Sequence, residues 1–318
     1  MENNKESISL FLLPPESLTR SQKIRKFFQE KKTQKHVTII LFSVVPLLLL
    51  ILFTYLPFGE MVKFSFYKMK YLGKRTFIGW QNYQEVFHRS DILKALFNSL
   101  YYMGAGVIQL SMALFFACIL SFKTPLKNFF KATLFFPYLV CALAVGYIFG
   151  FFYSRGLVLD SVLGLFGLSK GTLPYWLKDR SINNWSIAAT SIWRYQGQSM
   201  VLFIGAIQAI SPEFFEASSI DGATRWQQFQ YIILPSLKPI VILNFMLMVK
   251  GSLSAFEGPY VLTYGMNGTA TTVVLMHQLA HEAGKVGLAS AMAVILLIII
   301  LAVTALQNLI YSKFFKGE

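Results

Sequence analysis

Apolar residues in this chain come in long uninterrupted blocks, not in alternation with polar ones. A bilayer crossing by a helix takes about 20 mostly apolar residues. Six blocks meet that length: residues 37–56, 97–122, 132–152, 187–210, 240–256 and 287–311. The first and last hold no charge; Pro46 predicts a kink in the first, and Pro137, Gly146 and Gly150 lie inside the third. Arg194 sits inside the fourth block and Lys250 inside the fifth. The pattern predicts an all-α polytopic membrane protein with six transmembrane helices over residues 37–312, a basic tail at 1–36 and a short tail at 313–318. An even number of crossings puts both termini on one side.

Composition agrees. Of 318 residues, 55% are hydrophobic and 14% charged, with mean hydropathy +0.52; soluble domains carry about 25% charged residues. The net charge of +14 is spread between lipid-length blocks, so it reads as a topology signal and as contacts to anionic membrane lipid, not as a nucleic-acid surface. Charges near span ends concentrate on the N-terminal tail (Arg20, Lys23, Arg25, Lys26, Lys31, Lys32, Lys35) and on the loop with Lys123, Lys127 and Lys131. That bias predicts both termini on the cytoplasmic side of a plasma membrane. The basic region and the apolar stretch are both too long for a cleaved signal peptide, so the first block is expected to be retained. Within the tail, Ile24, Phe27 and Phe28 have the spacing of a helix lying on the membrane surface, with a disordered tail as the alternative.

The segment between the fourth and fifth blocks, residues 211–235, carries unusual local order. Ser211 suits an N-cap and Pro212 the first helical position. Glu213 and Glu216 then lie near the positive helix end, and Asp221-Gly222 offers a stop at which glycine permits a sharp turn. Thr224 and Gln227 have capping-box spacing for a second helix, with Pro235 expected to end it. Two short helices meeting at a glycine elbow are predicted.

The run Glu216-Ala217-Ser218-Ser219-Ile220-Asp221-Gly222-Ala223, followed by Phe229, Pro235 and Pro239, resembles the EAA loop of ABC importer permeases; Ser218 is a mild departure at its third position. Phe77-Ile78-Gly79-Trp80-Gln81-Asn82-Tyr83, Phe129-Phe130-Lys131 with Pro137, and Ala206-Ile207-Gln208-Ala209-Ile210 resemble stretches of the sugar-importing, maltose-type branch. Leu262-Thr263 and Thr271 do so as well, with Gly265-Met266-Asn267 where Gly-Gly-Pro is usual. The resemblance implies an ABC importer permease fold of the maltose type. It also implies a coupling helix at Glu216, Ala217, Asp221, Gly222 and Ala223 that docks in a cleft of the cytoplasmic ATPase. Implied partners are a second permease subunit (a heterodimer is expected), two ABC ATPase subunits and an extracytoplasmic solute-binding protein. No Walker A pattern is present, so no cofactor is expected on this chain, ATP and Mg belong to the partner ATPase, and the chain is expected not to be an enzyme. The implied cargo is a carbohydrate, in particular an oligosaccharide; an amino acid, polyamine or other small polar solute is the alternative.

Charges in or beside spans usually face a cavity or a partner, because hydrocarbon does not solvate them. Arg194 and Gln198 share a helical face, and so, seven residues apart, would Lys250 and Glu257. With Trp193 and Tyr260 offering flat rings, these residues are expected to line a substrate path whose surplus of cations favours a polar or anionic glycan; a purely structural ion pair is the alternative. His277 and His281 with Glu282 beside them read as a solvated outer loop and not as a metal site. Cys118 and Cys141 lie inside apolar blocks and offer neither a disulfide framework nor a metal site. A membrane-embedded enzyme would need a cluster of His, Asp or Glu on span faces, and a secondary transporter would gain nothing from the coupling loop.

Overall fold

A computed structural model describes residues 31–122, 124–168 and 171–315; the tail positions Ile24, Phe27 and Phe28, and residues 316–318 of the tail at 313–318, fall outside them. Among the described residues, those up to Lys63 form one compact unit and those from Phe64 another. The first unit is α1 (Lys31–Leu50), a π-helical turn over Ile51–Tyr55, and the start of α2 (Leu56–Phe64). Thr38–Phe64 makes a 27-residue apolar stretch long enough to cross a membrane.

In the second unit a two-stranded hairpin, β1 (Tyr67–Lys68) and β2 (Thr76–Phe77), is followed by α3 (Gln81–His88), α4 (Ser90–Phe97) and α5 (Ser99–Ser121). Then come α6 (Lys127–Leu139), α7 (Ala142–Phe152), α8 (Val158–Leu165) and α9 (Asn183–Gln208). The chain continues through α10 (Pro212–Ile220), α11 (Arg225–Gln228), α12 (Leu234–Leu253), α13 (Glu257–Thr263), α14 (Thr272–His277) and α15 (Val286–Phe315). Four helical stretches among the described residues can span a membrane; counting the bent pairs α6–α7 and α9–α10 as one span each gives six. The chain is thus mostly helical, as the apolar blocks predict.

Two expectations change. The third block is not one helix: α6 and α7 meet at 100°. Val140 (φ −74°, ψ 130°) and Cys141 (φ −63°, ψ 149°) are extended between them. Pro137 cannot donate into the helical ladder, and α6 closes two residues later. Pro235 does not end the second short helix either. Between α11 and α12 the backbone passes through a π turn, Phe229–Ile233, whose close is a Leu234 N–H donated to Phe229 O, five residues back. The wider turn shifts the register just where Pro235 lacks an N–H, so the helix continues. The same Leu-Pro step follows the π turn at Ile51–Tyr55, where Leu56 donates to Ile51 O ahead of Pro57.

The core lies between α5, α9 and α12. Ala105, Gln109, Ala113 and Ala117 are buried at four-residue steps along α5, a stripe of mostly small side chains that lets α9 approach. Met200, Phe203 and Ile207 of α9, together with Ile233 and Leu237, close on Ala113 and Ala117. Gly197 brings α9 against α6 so tightly that a Cβ there would overlap the Leu134 carbonyl oxygen.

Candidate functional site

The helix pair at 212–228 is built by local chemistry. Pro212 occupies the first turn of α10 as expected; Ser211 has the extended cap backbone (φ −57°, ψ 133°), but its side chain makes no capping bond. At the other end the Gly222 N–H donates to Ser219 O (3.2 Å) and the Ala223 N–H to Ser218 O (2.9 Å). With Gly222 at φ +78°, that is a Schellman stop, which a glycine adopts without steric cost. Thr224 and Gln227 close their capping box: the Thr224 N–H donates to Gln227 Oε1 (2.7 Å) and the Gln227 N–H to Thr224 Oγ1 (3.3 Å).

One residue that sequence reasoning missed clasps the two helices. Gln228, 3% exposed, donates from Nε2 to Ser218 Oγ (3.0 Å) and Ser219 Oγ (3.1 Å). The pair is tied to the end of α5 by Phe122, whose ring meets Phe215 edge-on and carries the Arg225 guanidinium 4.7 Å above it. No sequence period marks these contacts, because each joins separate elements. Glu216, Ala217, Asp221 and Gly222 are exposed and Ala223 is half-buried. Beside them Phe214, Trp226 and, at 87%, Ile220 are exposed too, an apolar surface on an otherwise polar loop of the kind that partners cover.

A cavity of about 570 Å³ lies between α5, α7, α9 and the α12–α13 junction. Of the sequence-predicted path residues, Arg194, Gln198 and Glu257 line it. Lys250 does not; it is exposed on α12. Trp193 packs instead on Phe149, with ring centroids 5.4 Å apart. Tyr260 stacks on Phe256, which does form part of the wall. Lys250 and Glu257 share no helical face, since the helix breaks at Ser254 (φ −103°, ψ 15°) and Glu257 opens α13. Thr271 Oγ1 stabilises the break by donating to Ala255 O (2.5 Å).

Glu257 pairs with Arg194, which donates from an Nη across from α9. The surplus positive charge expected from sequence is therefore not on the cavity wall, where the one cation and the one anion neutralise each other. Most of the remaining polar lining is uncharged and buried: Thr190, Ser199, Asn244, Ser252, and Gln109, which donates to Tyr195 O (3.1 Å). Tyr102 also lines the cavity, and its hydroxyl is buried without a hydrogen-bond partner. A buried hydroxyl left unpaired costs roughly 1–3 kcal/mol.

Residues 109–316 match the family described as the binding-protein-dependent transport system inner membrane component. The chain belongs to this family. The matched region of this transport component contains the helix pair and the cavity lining from Gln109 onward. "Probable ABC transporter permease protein YurN" of Bacillus subtilis is 34% identical over 86% of this chain and 94% of its own length. The multiple sugar-binding transport system permease protein MsmF of Streptococcus mutans is 32% identical over the same shares, and the arabinooligosaccharides transport system permease protein AraP of Halalkalibacterium halodurans 28% over 94% of each. Among solved structures, a bacterial ABC transporter involved in import of the acidic polysaccharide alginate superposes with a TM-score of 0.78 at 18% identity, covering 90% of this chain and 98% of the other. That likeness establishes the ABC importer permease fold.

Proposed function

We propose that this chain is the translocation subunit of an ABC importer for a carbohydrate, in particular a neutral oligosaccharide. The observation that carries the cargo reading is the cavity: polar on several sides, with the Arg194–Glu257 pair leaving no uncompensated charge on its lining. Sugar hydroxyls would meet donors and acceptors there, whereas a charged solute would meet no free counter-charge. Names of relatives that transport sugars and arabinooligosaccharides support the same reading.

Arg194, Gln198 and Glu257 are the polar path residues on this reading, with Tyr260 reaching it through Phe256. Trp193 and Lys250 lie off the lining and are assigned no contact with cargo. Glu216, Ala217, Asp221, Gly222 and Ala223 form the surface offered to an ATPase subunit, which binds ATP and Mg and hydrolyses the nucleotide. The full assembly is then two permeases, different from each other, two ATPases and an extracytoplasmic solute-binding protein. It sits in the plasma membrane of a bacterium with both termini of this chain cytoplasmic.

The test is uptake by the assembled complex in proteoliposomes, offered neutral oligosaccharides, acidic oligosaccharides, amino acids and polyamines. Uptake of neutral glycans is expected. Import confined to amino acids or polyamines would overturn the cargo assignment, and mass measurement showing a homodimer of this chain would overturn the heteromeric assembly.

A further inference from the structure

Beyond Phe256 and Tyr260, the cavity connects to the surface through side chains that the path assignment leaves unused. Phe256 forms part of the cavity wall, and Tyr260, one turn along, stacks on it at 4.8 Å between ring centroids. Beside both stands His277, 5.7 Å from Phe256 and 5.0 Å from Tyr260. His281 follows at 4.5 Å from His277, and Tyr71 stacks on His281 at 5.3 Å with its hydroxyl 3.2 Å from Nδ1. Tyr71 is 55% exposed. Five aromatic rings from three separate segments thus run without a gap from the surface to the cavity.

We propose that this strip is a guide for the oligosaccharide, on which sugar rings rest by their apolar CH faces while their hydroxyls meet water and the polar ring edges. The proposal rests on the carbohydrate reading above. Three observations select a glycan as the occupant. The strip ends on the cavity wall, so whatever follows it arrives where the polar lining begins. Tyrosine and histidine rings are apolar on their faces and polar at their edges, the same division a pyranose presents. Glu282, next to His281 in the chain, is engaged by a 2.5 Å hydrogen bond from the Tyr264 hydroxyl, and what the rings themselves supply is shape and stacking.

The strip also accounts for an irregularity. His277 ends α14, and the chain then widens into the π turn Gln278–Glu282 before α15. That turn carries His281, which meets His277 on one side and Tyr71 on the other.

The test uses the complete complex in proteoliposomes and radiolabelled linear malto- and arabino-oligosaccharides of graded length. Tyr71→Ala, His277→Ala and His281→Ala should each raise KM by about three- to tenfold, the range an aromatic pair's worth of binding converts to. The rise should be larger for long glycans, which touch more rings. Tyr71→Phe, His277→Phe and His281→Phe keep the ring and should restore uptake. The proposal is overturned if the alanine variants import every length as the wild type does, or if the phenylalanine variants fail as the alanine variants do. Weakened capture of the solute-binding protein without any length dependence would also overturn it, making the strip a protein-docking surface. Should the histidine variants fail to assemble, Tyr71→Ala and Tyr71→Phe at the exposed end decide the matter alone. A wild-type complex that imports no glycan brings down the carbohydrate reading as well, an outcome distinct from normal import by unaffected variants.

Discussion

Gly222 gives a graded test of the elbow. Its φ of +78° lies in the left-handed region, and a Cβ added there would meet nothing within 4 Å. Any cost of substitution is therefore backbone cost, not collision. For an ordinary L-residue that cost is roughly 1–2 kcal/mol, with asparagine tolerating the conformation better. At 1.4 kcal/mol per tenfold, Gly222→Ala should depopulate the elbow by about tenfold. Gly222→Val, which stiffens χ1 as well, should do so by about thirtyfold, and Gly222→Asn by much less. The exposed turn at Gly222 is not part of the transmembrane core formed by residues such as Met200 and Leu237, so assembly should survive. Transport-stimulated ATP hydrolysis in proteoliposomes should fall in the order Gly, Asn, Ala, Val, with complex recovery unchanged by size-exclusion chromatography. If Gly222→Val hydrolyses ATP like the wild type, or if Gly222→Asn is as poor as Gly222→Val, backbone shape at the elbow is not what couples the subunits.

Three further outcomes are expected. Gly197→Ala forces a Cβ onto the Leu134 backbone and should cost about 1–3 kcal/mol, whereas Gly205→Ala on the same helix, with open space around it, should be neutral or slightly stabilising; thermal melting in detergent separates them. Arg194→Gln and Glu257→Gln each leave a lone charge beside the cavity, and the double variant should melt closer to wild type than the sum of the singles. A coupling of about 1 kcal/mol is expected because Glu257 is half exposed. Gln228→Ala removes the clasp on Ser218 and Ser219, which should cost about 1 kcal/mol and show as faster limited proteolysis between α10 and α11; an unchanged cleavage rate would remove Gln228 from the account.

Local chemistry made part of this molecule legible. The spacing of Thr224 and Gln227 foretold a capping box that the backbone forms, because a cap needs only residues within one turn. Gly222 and Pro212 were readable for the same reason. The six apolar blocks were readable because the bilayer sets their length. What escaped was non-local or depended on register. Glu257 finds Arg194 sixty-three positions away, while seven-residue spacing pointed to Lys250, and only the break at Ser254 separates the two choices. Pro235 looked like a stop because an α-helix has no place for it, and the π turn ahead of it leaves no compositional mark. The aromatic strip is likewise invisible, since Tyr71 lies 210 positions from His281.

That π turn has a mechanical consequence. Because the backbone is not interrupted at Pro235, the helical path runs on from Arg225 to Leu253, where α12 ends at the Ser254 break. Its near end is the second helix of the exposed pair, and further along Asn244, Leu247 and Met248 stand on the cavity wall. From Arg225 to Met248 the rise is about 35 Å at 1.5 Å per residue. A stretch of that length acts as a lever arm: tilting it by about 10° about its near end sweeps the far side chains by about 6 Å, comparable to the width of a sugar ring. Force applied at the pair then needs no relay of contacts to reach the cargo, since a single rod carries it.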